Sequence, residues 1–178
     1  MRCVTQLIGL HWSPRPVEGP SQIQVMLPRT YEDQNCSIAR ALEVLGDRWT
    51  ILVMRDAFMR VRRFEDFQRN LGIARNVLTD RLGRLVEEGI LERVPYQERP
   101  ARFEYRLTEK GIDLWPVMMA LLQWGDRHYP AENGRPRVIR HRDCGGEVTR
   151  HLTCSECGAE LGPRDVVAEP GPGVLAAA

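Results

Sequence analysis

The segment RNVLTDRLGRLVEEG, beginning at Arg75, constrains this chain more than any other. Leu78, Leu82 and Leu85 fall on one face of an α-helix, while Asn76, Thr79, Asp80, Gly83 and Arg84 point broadly the other way. Such a helix must bury its leucines and is left with a polar face to present elsewhere.

Its neighbours say what kind of unit it belongs to. Upstream, Phe64, Phe67 and Leu71 mark a short helix ended by Gly72, so two helices meet across Gly72-Ile73-Ala74 as a helix-turn-helix. Ala74 has no side-chain acceptor to cap a helix, so the start of the second helix is not marked by a cap. Downstream, Leu91 to Val94 and Phe103 to Leu107 read as strands, the second alternating Phe103, Tyr105 and Leu107 with Glu104 and Arg106. Their connecting tip carries Arg99 and Arg102. A two-stranded hairpin directly after a helix-turn-helix is a wing.

Two further helices precede this unit and one follows it. Asn35 can cap a helix bearing Ile38, Ala41, Leu42 and Leu45, with Gly46 at its end. A second, from about Asp47 to Met59, carries Trp49, Leu52 and Val53, and Val61-Arg62-Arg63 reads as a short strand. Thr108 caps a long last helix with Leu114, Trp115, Val117, Met118, Leu121, Leu122 and Trp124, more apolar surface than one core contact requires. Pro116 is expected to kink or split that helix near its first turns. The fold class expected is mainly α, in the α+β sense: a winged helix-turn-helix with a two-stranded wing, long dimerisation helices and a small C-terminal zinc-ribbon-like segment.

The 178 residues then divide into a proline-punctuated loose extension (1–33), a winged helix-turn-helix domain (34–129), a linker (130–137), the ribbon-like segment (138–162) and a tail expected to be disordered (163–178). Net charge is only +1, so an argument for nucleic acid must rest on where the cations sit. All but Lys110 are arginines, suited to bidentate contact with phosphate or guanine. No apolar run reaches the roughly 18 residues of a membrane span, and the N-terminal stretch lacks the pattern of a secretory signal, so a cytoplasmic location is expected.

The ribbon-like segment reads HRDCGGEVTRHLTCSECGAEL from His141. Cys154-x-x-Cys157-Gly is one zinc knuckle, and His141-x-x-Cys144-Gly repeats its shape with histidine first. His141, Cys144, Cys154 and Cys157 thus form a candidate zinc set, with His151 as an alternative fourth ligand. Four filled positions would make the metal structural, since catalytic zinc keeps one open for water. A metal-free reduced hairpin and a redox-active Cys154–Cys157 pair are the competing readings.

Between Cys36 and Tyr129 the chain resembles the HxlR-type branch of winged-helix transcription regulators, relatives of the MarR group. The resemblance rests on the cysteine opening the first helix, LGDRWTILVMRD from Leu45, RRFEDF from Arg62, GIARNVLTDRLGRLVEEGIL from Gly72, FEYRLTEKG and LLQWGDRHY. Asp47-Arg48 replaces the family's usual glycine-lysine pair, and Ser37 stands where proline is common. The resemblance implies a bacterial homodimer whose first and last helices pack against the partner, and whose fourth helices enter the major groove of double-stranded operator DNA.

On that reading Arg75, Asn76, Thr79, Asp80 and Arg84 face base edges. Arg99 and Arg102 reach phosphates or a narrow minor groove, with Arg62 and Arg63 as weaker backbone contacts. Two-fold symmetry predicts a pseudo-palindromic operator, and repression is the expected mode. Cys36, at a helix start with Arg40 one turn on, is a candidate redox-sensing thiol, as in some members of the family. The effector is then an oxidant or a small molecule, and the tryptophans are candidate pocket residues. The rival readings are an adaptor protein, in which the winged helix merely dimerises, and a thiol-disulfide exchange enzyme at Cys154 and Cys157. The main reading assigns no enzymatic activity.

Overall fold

A computed structural model describes residues 35–130 and 132–175, so the extension expected at 1–33 lies outside the described residues. In chain order the elements are α1 (Ser37–Leu45), α2 (Arg48–Phe58), α3 (Phe64–Leu71), α4 (Arg75–Glu87), β1 (Leu91–Glu98), β2 (Ala101–Leu107), α5 (Glu109–Ile112), α6 (Trp115–His128), β3 (Arg137–His141), β4 (Val166–Pro170) and α7 (Pro172–Leu175).

The apolar stripe of α4 is buried as its spacing requires: Leu78 and Leu82 are fully inaccessible and Leu85 nearly so. They meet Val53 and Met54 of α2, Phe67 of α3 and Leu91 of β1 in one hydrophobic cluster. Removing each such side chain from water contributes about 1.5 to 3 kcal/mol. Gly72 closes α3 with φ 62° and donates its N–H to the Gln68 carbonyl, a left-handed cap where glycine is the least strained residue. The chain thereby reverses sharply and α4 starts three residues on, capped by Ala74 without any side-chain hydrogen bond.

β1 and β2 pair antiparallel from Leu91–Leu107 to Glu98–Ala101, with a register shift between Pro95 and Gln97. Both strands run further toward the tip than alternation alone suggested. Arg63 makes an isolated antiparallel bridge to Glu104, which ties the segment expected as a short strand to the wing.

The helix from Thr108 is split near its first turns, as Pro116 led one to expect: Thr108 caps the short α5 by accepting the Gly111 N–H, and α6 begins separately with Pro116 in its first turn. Proline is tolerated there because N–H groups of the first turn have no helical partner in any case. The tail expected to be disordered from residue 163 instead contains β4, which pairs with β3 from Arg137–Pro170 to His141–Val166. Its strand character comes from β3, some thirty residues away, a partner that local composition does not reveal. Val166 and Leu161 are buried and belong to the same hydrophobic cluster as Trp115, Met118 and Met119 of α6. Gln123 of α6 adds hydrogen bonds to the carbonyls of Val148 and Thr149. Among the described residues no helix is long and apolar enough to cross a membrane.

Phe67 is fully buried and meets Tyr105 of β2 edge-on at 6.5 Å, so it joins the helix-turn-helix to the wing. Phe67→Ala is expected to lower stability by about 3 to 5 kcal/mol, measured by urea unfolding.

Candidate nucleic-acid interface and metal site

With its leucines buried, α4 turns Arg75, Asn76, Thr79 and Asp80 to solvent. Thr79 donates its hydroxyl to the Arg75 carbonyl, one turn back. The Arg75 guanidinium sits 4.6 Å over the Phe64 ring, which anchors it at the α3–α4 turn. At Gly83 a Cβ would meet no atom within 4 Å beyond its chain neighbours and its own helix backbone, so the helix there borders open space. These groups form one polar surface of hydrogen-bond donors and acceptors on a rigid helix.

Arg84 is exposed as well, but its guanidinium donates to the carbonyl of Glu43 in α1. It braces α1 against α4, a tie that position on a helical wheel does not disclose. Arg81, which sequence reasoning passed over, makes the parallel tie from α4 to Asp47, at 3.2 Å. Asp47 also caps α2 by accepting the Trp49 N–H at 2.8 Å.

Arg99 and Arg102 stand exposed at the wing tip. Arg93, absent from the sequence-based set, is a third exposed wing cation, 4.0 Å over the Phe103 ring; its place in β1 was the available signal. Arg62 and Arg63 each lie 3.9 Å from Glu104, and Arg63 also covers Tyr96. Their charge is partly neutralised within the fold.

At the far end of the chain, the four residues of the knuckles converge. The ligand atoms of His141, Cys144, Cys154 and Cys157 all lie within 4.8 Å of one another. Cys144 Sγ is 3.3 Å from Cys154 Sγ and 3.7 Å from Cys157 Sγ, and His141 Nδ1 is 3.2 Å from Cys144 Sγ and 3.4 Å from Cys157 Sγ. A tetrahedral ion with sulfur arms of about 2.3 Å has sulfurs about 3.8 Å apart, so the cluster has the dimensions of such a site.

The two knuckles are built alike. Gly145 donates to the His141 carbonyl and Gly158 to the Cys154 carbonyl, both glycines at positive φ. A Cβ on Gly146 would collide with Cys154 Sγ, so the close approach of the knuckles needs that glycine. The backbone N–H of Cys157, then that of Glu156, hold the Cys154 thiol down to about 6 against the effect of burial. His141 Nε2, the nitrogen turned away from the sulfurs, lies 3.5 Å from Asp143 Oδ2, the outer partner that orients many metal-ligating imidazoles. His151 stands outside the cluster and accepts from Arg150 Nε at 2.9 Å. The four residues can hold a metal ion, with His141 and not His151 as the nitrogen donor.

Cys36 is exposed at the N-cap of α1. The N–H groups of Ala39 and then Ile38 lower its thiol pKa, outweighing slight burial, and Arg40 adds to the effect.

The family described as HxlR-like helix-turn-helix matches residues 44–133. An uncharacterised HTH-type transcriptional regulator of Mycobacterium tuberculosis is 50% identical over 140 residues, 79% of this chain and 89% of that protein. Another from Synechocystis sp. is 37% identical over 91 residues, 51% of this chain and 67% of that one. The crystal structure of PA1607, described as a candidate transcription factor, shares 40% identity and superposes with a TM-score of 0.62, covering 75% of this chain and 94% of its own.

Cobalt(II) added to metal-free protein is expected to give the thiolate charge-transfer and intense d–d absorption of a tetrahedral site, at one ion per chain. Cys154→Ser and His141→Ala should lose or shift that spectrum, and His151→Ala should leave it unchanged.

Proposed function

The chain belongs to the HxlR-like helix-turn-helix family and is a DNA-binding transcriptional regulator, and from this we propose that it represses transcription as a homodimer on a pseudo-palindromic operator. The observation that carries the mode of binding is the outward polar face of α4 backed by three buried leucines. Base edges are distinguishable chiefly in the major groove, and a rigid helix with Arg75, Asn76, Thr79 and Asp80 outward matches that groove in width and in chemistry. Arg99 and Arg102, with Arg93 behind them, are positioned to approach the phosphate backbone. Arg84 acts mainly as the brace between α1 and α4.

Dimerisation is supported by apolar surface left uncovered on single elements. Ile38 of α1 is 71% exposed and Leu42 47%, while Val117, Leu121 and Trp124 of α6 are 44%, 46% and 53% exposed. A second copy seated on α1 and α6 removes this surface from water and sets two reading helices about one DNA turn, roughly 34 Å, apart. The adaptor reading leaves the polar face of α4 without a task, and we assign no enzymatic activity. Action on DNA places the protein in the bacterial cytoplasm. We assign zinc to the His141, Cys144, Cys154 and Cys157 cluster, in a structural role, because all four positions of a tetrahedron are supplied by the protein.

A second reading, redox control through Cys36, is favoured by its exposed and lowered thiol. Because the pKa is lowered, thiolate is present from a lower pH upward than in a free cysteine, and reaction with oxidant is faster at neutral pH. Alkylation of Cys36 should therefore reach half its maximal rate at a lower pH than alkylation of a cysteine peptide does. Oxidant-induced release of DNA should disappear in Cys36→Ser, and release persisting in that variant would refute the reading.

DNA binding itself is tested by selecting bound genomic fragments and measuring affinity by gel shift. Asn76→Ala should lose about 1 to 3 kcal/mol of discrimination at one base pair of each half-site. Arg99→Ala should weaken all sequences alike and reduce the salt dependence by about one ion. Absence of any sequence-selective retardation by folded protein would overturn the proposal.

A further inference from the structure

Between α2 and α6 on one side and the β3–β4 ribbon on the other lies a cavity of about 440 Å³. Small-molecule sites commonly measure about 300 to 1,000 Å³. Phe58, Trp115 and Met118 form one wall, and Ile139, Val166 and Ala168 face them from the ribbon. The ribbon wall lies beyond residue 133, where the match to the family ends, so this enclosure is not part of the shared winged-helix unit.

The charged lining has one sign. Arg55, Arg60, Arg137 and Arg142 border the cavity and no aspartate or glutamate does. Arg55 is already paired with Asp56, at 2.7 Å, and Arg142 donates its Nε to the Arg164 carbonyl at 3.1 Å. Arg60 and Arg137 have no side-chain hydrogen bond or ion pair among the described residues, whereas Arg135 and Arg140 nearby are both paired with Glu147. Cations of one sign beside a low-dielectric cavity produce a strong local potential for an anion. A guanidinium also matches the two oxygens of an acid group.

Arg60 adds a conformational observation: it holds φ 63°, a region in which most L residues are strained. Glycine would be easier there, yet the position supplies a cation at the cavity margin.

We propose that this cavity binds an amphipathic organic acid, with an aromatic or aliphatic body between α6 and the ribbon and one acid group held by Arg60 and Arg137. The ligand class follows from a wall of rings and aliphatic groups combined with unpaired arginines. The inference does not rest on how α4 reads DNA, but Leu121 of α6 borders both the cavity and the face proposed for the second copy, so the test is made on the solution assembly.

The test uses the full metal-loaded chain in its solution assembly, with 1-anilinonaphthalene-8-sulfonate as the anionic probe and N-phenyl-1-naphthylamine as its uncharged counterpart. One saturable sulfonate site per chain is expected, displaced by dodecanoate. The double variant Arg60→Gly with Arg137→Gln should weaken the anionic probe about tenfold and leave the neutral one unchanged. Arg60→Gly also relaxes the backbone, and unchanged binding of the neutral probe reports that the double variant keeps its fold. Ala168→Phe should reduce binding of both probes by filling the cavity; if it does not fold, the charge variant alone decides. Equal response of the two probes to loss of the arginines would overturn the acid-group assignment. Sulfonate binding untouched in folded Ala168→Phe would place the dye elsewhere and refute the site. Absence of saturable binding would mean that the cavity is filled in the assembly by a second copy, which also overturns the proposal.

Discussion

Burial of Leu78, Leu82 and Leu85 beneath α4 is the contact on which the rest depends. Once those side chains lock against Val53, Met54 and Phe67, α4 can no longer rotate about its axis. Its remaining residues are thereby assigned to one outward surface, at angles set by the buried ones. The short turn at Gly72 then fixes the angle between α3 and α4, and the bridge from Arg63 to Glu104 carries the same frame into the wing. Reading helix and wing are consequences of one packed cluster.

The same cluster reaches into the C-terminal part. Leu161 and Val166 complete the apolar surface around Trp115, Met118 and Met119, so the ribbon lies on the winged helix. A segment this short has little core of its own, and three sulfurs and an imidazole gathered in one place offer the staple that hydrophobic burial cannot supply. Docking has a second effect, because the ribbon lies over the groove between α2 and α6 and turns it into a cavity with arginines at its border.

Electrostatics explains why a net charge of +1 is compatible with binding DNA. Cations in the body of the fold, such as Arg81, Arg135 and Arg140, are paired with acids. Those on the outward face of α4 and at the wing tip lie free of such ion pairs among the described residues. It is distribution, not total charge, that leaves Arg75, Arg99 and Arg102 unneutralised on these elements.

Periodicity in the sequence was sufficient to identify α1 to α4, the wing and their order, because each of those elements buries one stripe and local spacing states which residues make it. Knuckle spacing likewise identified His141, Cys144, Cys154 and Cys157, since a Cys-x-x-Cys-Gly turn is a local structure. Tertiary contacts decided what no local pattern encodes. β4 exists because β3 pairs with it, Arg84 faces the Glu43 carbonyl because α1 ends beside it, and His141 takes the nitrogen position of the cluster while His151 pairs with Arg150 outside it. The cavity belongs wholly to this second category: its walls come from segments that are distant in the chain, and only packing brings them opposite one another.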